Sequence, residues 1–228
     1  MLNSVSSAVN GCPLSGVPSV VPVVPSSKPW PLPELKVPAD AIATWQRSRG
    51  LSAADRPIVA LAPGSVAPAR RWPVDAYAAL SRKLLADGCD VWVLGGPREK
   101  ALAAEIVGDS KARDLTGPDI RDAILALASA RVAVTNDSGL LHVAAALGIP
   151  SIGIFGPMTA ALWAPLNPLA AAIEINGELP CRPCNKNVCP LGHHRCLRDI
   201  SPDAVFATAR NALAAAANRR GVASPGMA

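Results

Sequence analysis

The sequence runs to 228 residues, 50% of them apolar, which allows one or two domains with a substantial core. Its formal net charge of +5 is modest and its basic residues are scattered, so it suits a small anionic ligand and argues against a nucleic-acid groove. Prolines or charges break every apolar stretch before the roughly 18 residues that a spanning helix needs.

The first 27 residues carry no charged side chain, and eight prolines fall before residue 39. Proline donates no amide hydrogen and interrupts helices and ladders, so residues 1–38 are expected to be disordered. A signal peptide is not expected, because the start is not basic and Pro18, Pro22 and Pro25 interrupt the apolar candidate. Val9-Asn10-Gly11-Cys12 has a faint likeness to a lipoprotein cleavage site, but no apolar region precedes it. The expected location is the cytoplasm.

From Ala39 onward the pattern alternates. Ala41 to Arg49 reads as a helix stopped by Gly50, and "PIVALAPGS" as an apolar strand entering a Pro-Gly turn. Pro73 suits a first helical residue, and Tyr77, Leu80, Leu84 and Leu85 give that helix an apolar face before Gly88. Strand "DVWVLGG" and a helix around "REKALAAEIVG" follow, then a short strand near "RDLTG" and a helix from Asp119 to Ala130. Strand "RVAVT", a small-residue helix after "NDSG" and strand "SIGIF" continue the alternation. Beyond Phe155 come a proline-rich loop, a strand at "AAAIEIN", a cysteine segment at 180–198, and a helix from Ser201-Pro202 to about Asn218. Short apolar strands separated by longer helices predict an α/β fold: a single Rossmann-like, doubly wound parallel sheet over 39–219, with 220–228 as a tail. No fixed-period repeat is visible.

In doubly wound sheets, ligands gather at the carboxyl edge of the strands, where helix starts offer free amides and a partial positive charge. Asn136-Asp137-Ser138-Gly139 occupies such a junction. There Ser138 can cap the helix or bond a phosphate, Gly139 allows close approach, and Asp137 can accept from sugar hydroxyls. His142 lies one turn on. Asp and Ser are also ordinary N-caps, so the tetrapeptide alone leaves both readings open. The turn "APGSVAPARRWP" brings Ser65, Arg70 and Arg71 toward the same edge, where arginine could neutralise a diphosphate or simply be solvated. "LGGPREK" adds glycines and Glu99, a candidate for a ribose hydroxyl. Neither a Walker loop nor a G-x-G-x-x-G fingerprint is present, which weakens ATP hydrolysis and nicotinamide binding.

Together "APGSVAPARRWP", "VWVLGG", "DLTG", "VTNDSGLLHVAAALGIPSIGIFGP" and "CRPCNKNVCPLGHHRCLRDISPDAV" resemble the donor-binding, carboxyl-terminal half of the family 9 glycosyltransferases, the lipopolysaccharide heptosyltransferases. The likeness spans about Trp30 to Arg219 and is greatest to the heptosyltransferase II branch. It implies the C-terminal domain of a GT-B enzyme that moves heptose from ADP-heptose to the lipopolysaccharide inner core, with inversion and without a catalytic metal or cofactor. Donor contacts would then fall to Ser65, Arg70, Glu99, Asp137, Ser138, Gly139 and His142. An acceptor in lipopolysaccharide also implies work near a membrane surface. In the family the position of Arg70 is often lysine, and a separate acceptor domain supplies an aspartate as base. Residues 1–27 hold no carboxylate to replace it, so the expectation is a donor-binding half inactive by itself, with an exposed apolar face that favours self-association. The alternatives are a non-catalytic nucleotide-sugar binding module and an inactive fragment.

Cys181, Cys184, Cys189 and Cys196, with His193 and His194 between them, could form a tetrahedral metal site or a reduced or disulfide-linked loop; the spacing is not that of a zinc ribbon. Cys89 reads as a small buried apolar residue.

Overall fold

A computed structural model describes residues 18–22, 32–51, 56–175 and 179–222. Among them seven strands form one sheet: β1 (Pro18–Pro22), β2 (Ile58–Ala62), β3 (Asp90–Val93), β4 (Arg113–Asp114), β5 (Val132–Asn136), β6 (Ser151–Ile154) and β7 (Ala170–Ile175). Their order is β1-β7-β6-β5-β2-β3-β4. β2 to β7 are parallel, and β1 runs antiparallel to β7. The helices are α1 (Ala39–Ser48), α2 (Val74–Ala86), α3 (Lys100–Val107), α4 (Ile120–Ser129), α5 (Gly139–Ala146), α6 (Ala160–Trp163), α7 (Arg195–Arg198) and α8 (Pro202–Val222).

The central strands β2, β3, β5 and β6 are largely apolar and buried because both faces of the sheet are covered there. Val59, Leu61, Val91, Val93, Val132 and Val134 point to one side, where Tyr77, Leu80 and Leu84 of α2, Ile106 of α3 and Val205 of α8 close the core. The residues between them, Ala60, Trp92, Leu94 and Ala133, point to the other side against Trp45 of α1, Leu125 and Leu127 of α4 and Ala144 of α5. Two helix starts foreseen from the sequence carry their caps: the Arg121 amide donates to Asp119 Oδ1 at 2.9 Å, and the Ala204 amide to Ser201 Oγ at 3.2 Å.

Chain order reverses between β2 and β5. Counting β2 to β7 as strands one to six, the sheet reads 3-2-1-4-5-6, the dinucleotide-binding order, and a crevice opens at the carboxyl ends of β2 and β5. The loops after these strands therefore face each other.

The amino-terminal segment departs from the expected disorder. Pro18–Pro22 adds to the sheet margin, pairing Pro18 with Ile175, Val20 with Ile173 and Pro22 with Ala171. An edge strand needs amide donors on one side only, so prolines are tolerated there. Residues 32–38 are docked as well: the Leu35 amide donates to Ala146 O at 2.7 Å and Val37 packs on the α1–α4 core. The rest of 1–31 and the end of the tail, 223–228, lie outside the described residues. The last helix extends to Val222, past the expected stop near Asn218.

Candidate functional site

Four loops leave the carboxyl edge of the sheet around a cleft of about 800 Å³. β2 supplies Gly64 and Ser65 with Arg70 and Arg71, β3 supplies Gly95 to Glu99, β4 leads to Gly117 through Ile120, and β5 delivers Asp137 through His142. The volume lies in the range of small-molecule sites. All seven residues expected from the sequence, Ser65, Arg70, Glu99, Asp137, Ser138, Gly139 and His142, line this one cleft.

Across the chain-order reversal, Arg70 Nη1 donates to Asp137 Oδ2 at 3.2 Å, while Ser65 Oγ donates to the Asp137 carbonyl at 3.2 Å. Arg71 Nε holds the Ser65 carbonyl at 2.8 Å. Asp137 is only 4% exposed, and burial pushes its carboxyl above the usual range against the opposing pull of Arg70 and of His142. Burial therefore outweighs the ion pair at this carboxylate.

Ser138 stands at the N-cap of α5, yet its side chain makes no capping bond. The Ser138 capping bond open in the sequence is therefore unmade, and Ser138, Gly139 and Leu140 line the cleft at the start of this helix. Glu99 has a structural task beside any ligand contact. The Gly96 amide donates to its Oε2 at 2.9 Å, and its side chain fills the space above Gly64, where an added Cβ would lie 2.7 Å from Glu99 Cγ.

Three contributors were not foreseen, two of them from segments where the sequence pattern is weak. Trp163, 46% exposed at the end of α6, and Asn187 line the cleft, as does Ile120 at the start of α4. The Asn187 carbonyl accepts from the Ala69 amide at 2.9 Å, tying the cysteine segment to the loop that bears Arg70. An exposed tryptophan in a proline-rich loop is a readable signal; the contact of Asn187 is long-range and leaves none.

Cys181, Cys184, Cys189 and Cys196 surround a separate cavity of about 20 Å³ together with His193 and His194. The thiols are unbridged, and among the described residues no three Cys, His, Asp or Glu side chains are arranged to hold a metal ion. His193 Nδ1 accepts from the Arg195 amide at 3.0 Å, so a neutral ring carries its proton on Nε2, 3.8 Å from Cys181 Sγ. Burial, together with the charges of Cys184, Cys181 and Cys189 and against the pull of Arg182, pushes the Cys196 thiol up to about 11. Cys89 is buried, as expected.

The family model of glycosyltransferase family 9 (heptosyltransferase) matches residues 26–195. The chain belongs to this family. Among its relatives, this family 9 chain is 34% identical to lipopolysaccharide heptosyltransferase 2 of Salmonella typhimurium over 161 residues, 67% of this chain and 45% of the relative. It is 32% identical to lipooligosaccharide heptosyltransferase 2 of Haemophilus ducreyi over 196 residues, 79% of this chain and 56% of the relative. The solved structure of E. coli ADP-heptose lipopolysaccharide heptosyltransferase II superposes with a TM-score of 0.68 at 30% identity, covering 79% of this chain and 53% of that one. The chain thus resembles the type 2 branch, carries the Rossmann-like domain of a GT-B glycosyltransferase, and spans about half the length of the relatives it matches. No helix among the described residues is long and apolar enough to cross a membrane.

Proposed function

We propose that this chain is the donor-binding half of a lipopolysaccharide heptosyltransferase and that its cleft takes ADP-heptose, the sugar nucleotide named for its E. coli structural relative. The observation that carries the reading is the Arg70–Asp137 pair beside the uncapped start of α5, at the chain-order reversal of a family 9 sheet. A diphosphate placed there meets the Arg70 guanidinium and the amides of Ser138 and Gly139, which would hold the charge that builds on the leaving ADP. Asp137 and His142 face the sugar, Glu99 the ribose, and Ser65 keeps the Arg70 loop against Asp137.

Transfer with inversion joins an acceptor hydroxyl to the anomeric carbon as the bond to the diphosphate breaks, and a base must take the hydroxyl proton. In this reading that base belongs to an acceptor-binding part outside this chain, and the chain alone binds donor without transferring it. Exposed Val66, Ile120 and Trp163 at the cleft mouth support an apolar face for that part, or for a second copy in its absence. The work would be cytoplasmic, beside the membrane that carries the acceptor.

The test is the melting temperature with ADP-heptose, ADP, UDP and GDP at equal excess. A ligand at about one hundred times its dissociation constant stabilises by roughly 2.7 kcal/mol, a shift of several degrees. Shifts confined to the adenine nucleotides support the reading; no shift with any of them rejects it. Heptose transfer after adding the acceptor domain of a relative would separate an enzyme half from a non-catalytic binding module.

A further inference from the structure

Asn136 is the last residue of β5, wholly buried and one position before Asp137. The four hydrogen bonds of its side chain all go to one stretch of chain. Nδ2 donates to the carbonyls of Pro63 at 2.7 Å and Gly64 at 3.4 Å, while Oδ1 accepts from the Trp72 amide at 3.0 Å and the Tyr77 hydroxyl at 3.1 Å. Pro63 and Gly64 open the loop that bears Ser65, Arg70 and Arg71; Trp72 closes it. One amide side chain therefore grips both ends of the loop.

We infer that Asn136 is the positioning residue of the donor loop, a clamp that sets the span between Gly64 and Trp72 and so holds Arg70 and Ser65 opposite Asp137. Only a planar group that donates on one edge and accepts on the other satisfies both ends, because the two carbonyls need donors and the amide and hydroxyl need an acceptor. A hydrophobic side chain of equal volume would leave the buried Pro63 carbonyl and Trp72 amide unpaired, and the Tyr77 hydroxyl with only its 3.4 Å bond to the Ala62 carbonyl. The far side of the clamp is itself anchored: Trp72 Nε1 donates to Ile200 O at 3.0 Å, and the Trp72 and Tyr77 rings meet edge to face at 4.9 Å. The inference rests on the donor-site reading only where ADP is the probe.

The discriminating variant is Asn136→Asp. As a neutral acid it mimics the amide, its hydroxyl donating to Pro63 while its carbonyl accepts from Trp72 and Tyr77. As a carboxylate it repels the Pro63 and Gly64 carbonyls. The charged or titratable groups nearby are Tyr77, whose phenol burial raises far above its usual range, and Asp137, Arg70, Arg71 and His142 in the cleft. These are common to wild type and variant, so the ratio between the two isolates residue 136.

Hydrogen exchange of the free chain supplies a readout without ligand. At about pH 8 the variant should exchange the amides of residues 64–72 about tenfold faster than wild type, with the excess shrinking at about pH 5.5 while β3 and β6 stay protected. ADP affinity should weaken about tenfold at the higher pH and recover in parallel. If the variant does not fold, Tyr77→Phe removes one donor from Oδ1 and should loosen the same amides to a smaller extent. Exchange unchanged in the loop, or raised evenly across all strands, overturns the clamp. Wild type that fails to bind ADP overturns the donor reading instead, and the exchange pattern still decides on Asn136.

Discussion

Arg70 and Asp137 meet at 3.2 Å across the point where the strand order reverses, although they are 67 residues apart. Each comes from a loop leaving a neighbouring strand, β2 or β5, so parallel pairing of these strands brings the two charges together. The guanidinium is thus held in the cleft by a group that an incoming anion can replace.

Removing the guanidinium should separate the phosphate contribution from the rest of the site. Arg70→Ala is expected to weaken ADP binding by about 10- to 100-fold, the usual worth of a hydrogen bond to a charged group, and to leave the weaker binding of adenosine unchanged. Calorimetric titration with both ligands checks this. Equal losses for ADP and adenosine would mean that Arg70 serves the loop rather than the diphosphate.

Asp137 makes a claim about pH. Its folded carboxyl holds a proton to higher pH than the unfolded chain does, so between the two values the native state binds more protons and stability falls as pH rises. The cost is absent below the unfolded value near about 3.9 and complete above the folded one. Asp137→Asn removes it. Relative to wild type, the urea midpoint of the variant should climb with pH through the acid range and then level off. A relative midpoint that falls with pH would show the Arg70 ion pair outweighing burial.

Much of this site was legible because its residues sit at strand ends, where periodicity stops and polar or glycine residues take over. Ser65, Arg70, Glu99, Asp137 and His142 all follow the end of a strand by eight residues or fewer, and alternating strands and helices imply that these ends share one edge. Non-local facts were not legible. Pro18–Pro22 pairs with β7 about 150 residues away, and composition alone speaks only for its prolines. Ser138 could cap α5 or face a ligand, and only the folded geometry shows the capping bond unmade. Trp163 reaches the cleft from a single helical turn and Asn187 from irregular chain, both too short in pattern for a period to announce a direction.

Glu99 predicts a coupled pair of substitutions. Gly64→Ala puts a methyl 2.7 Å from Glu99 Cγ and 2.9 Å from Cδ, while the Gly96 amide resists displacement of the carboxylate. Overpacking of this kind costs about 1–3 kcal/mol. Glu99→Ala removes the obstructing atoms, so the double variant should lose less stability than the sum of the single ones, as read from urea unfolding of all four chains. Strict additivity would show that the loop after β2 yields without Glu99.

The cysteine segment should react in a defined order. Burial raises the Cys189 thiol, but the amides of His194, Leu191, Gly192 and His193 bond to its sulfur and hold it below the usual value. Cys196, ringed by the other three sulfurs, is pushed up to about 11, and Cys89 is raised by burial and by the neighbouring Asp87 and Asp90. Because the thiolate is the nucleophile, limiting iodoacetamide at neutral pH should carboxamidomethylate Cys189 at least about tenfold faster than Cys196 or Cys89, as measured by peptide mass spectrometry. Labelling of Cys196 first would mean that its sulfur is stabilised as an anion, which burial and mutual repulsion among four reduced thiols cannot do.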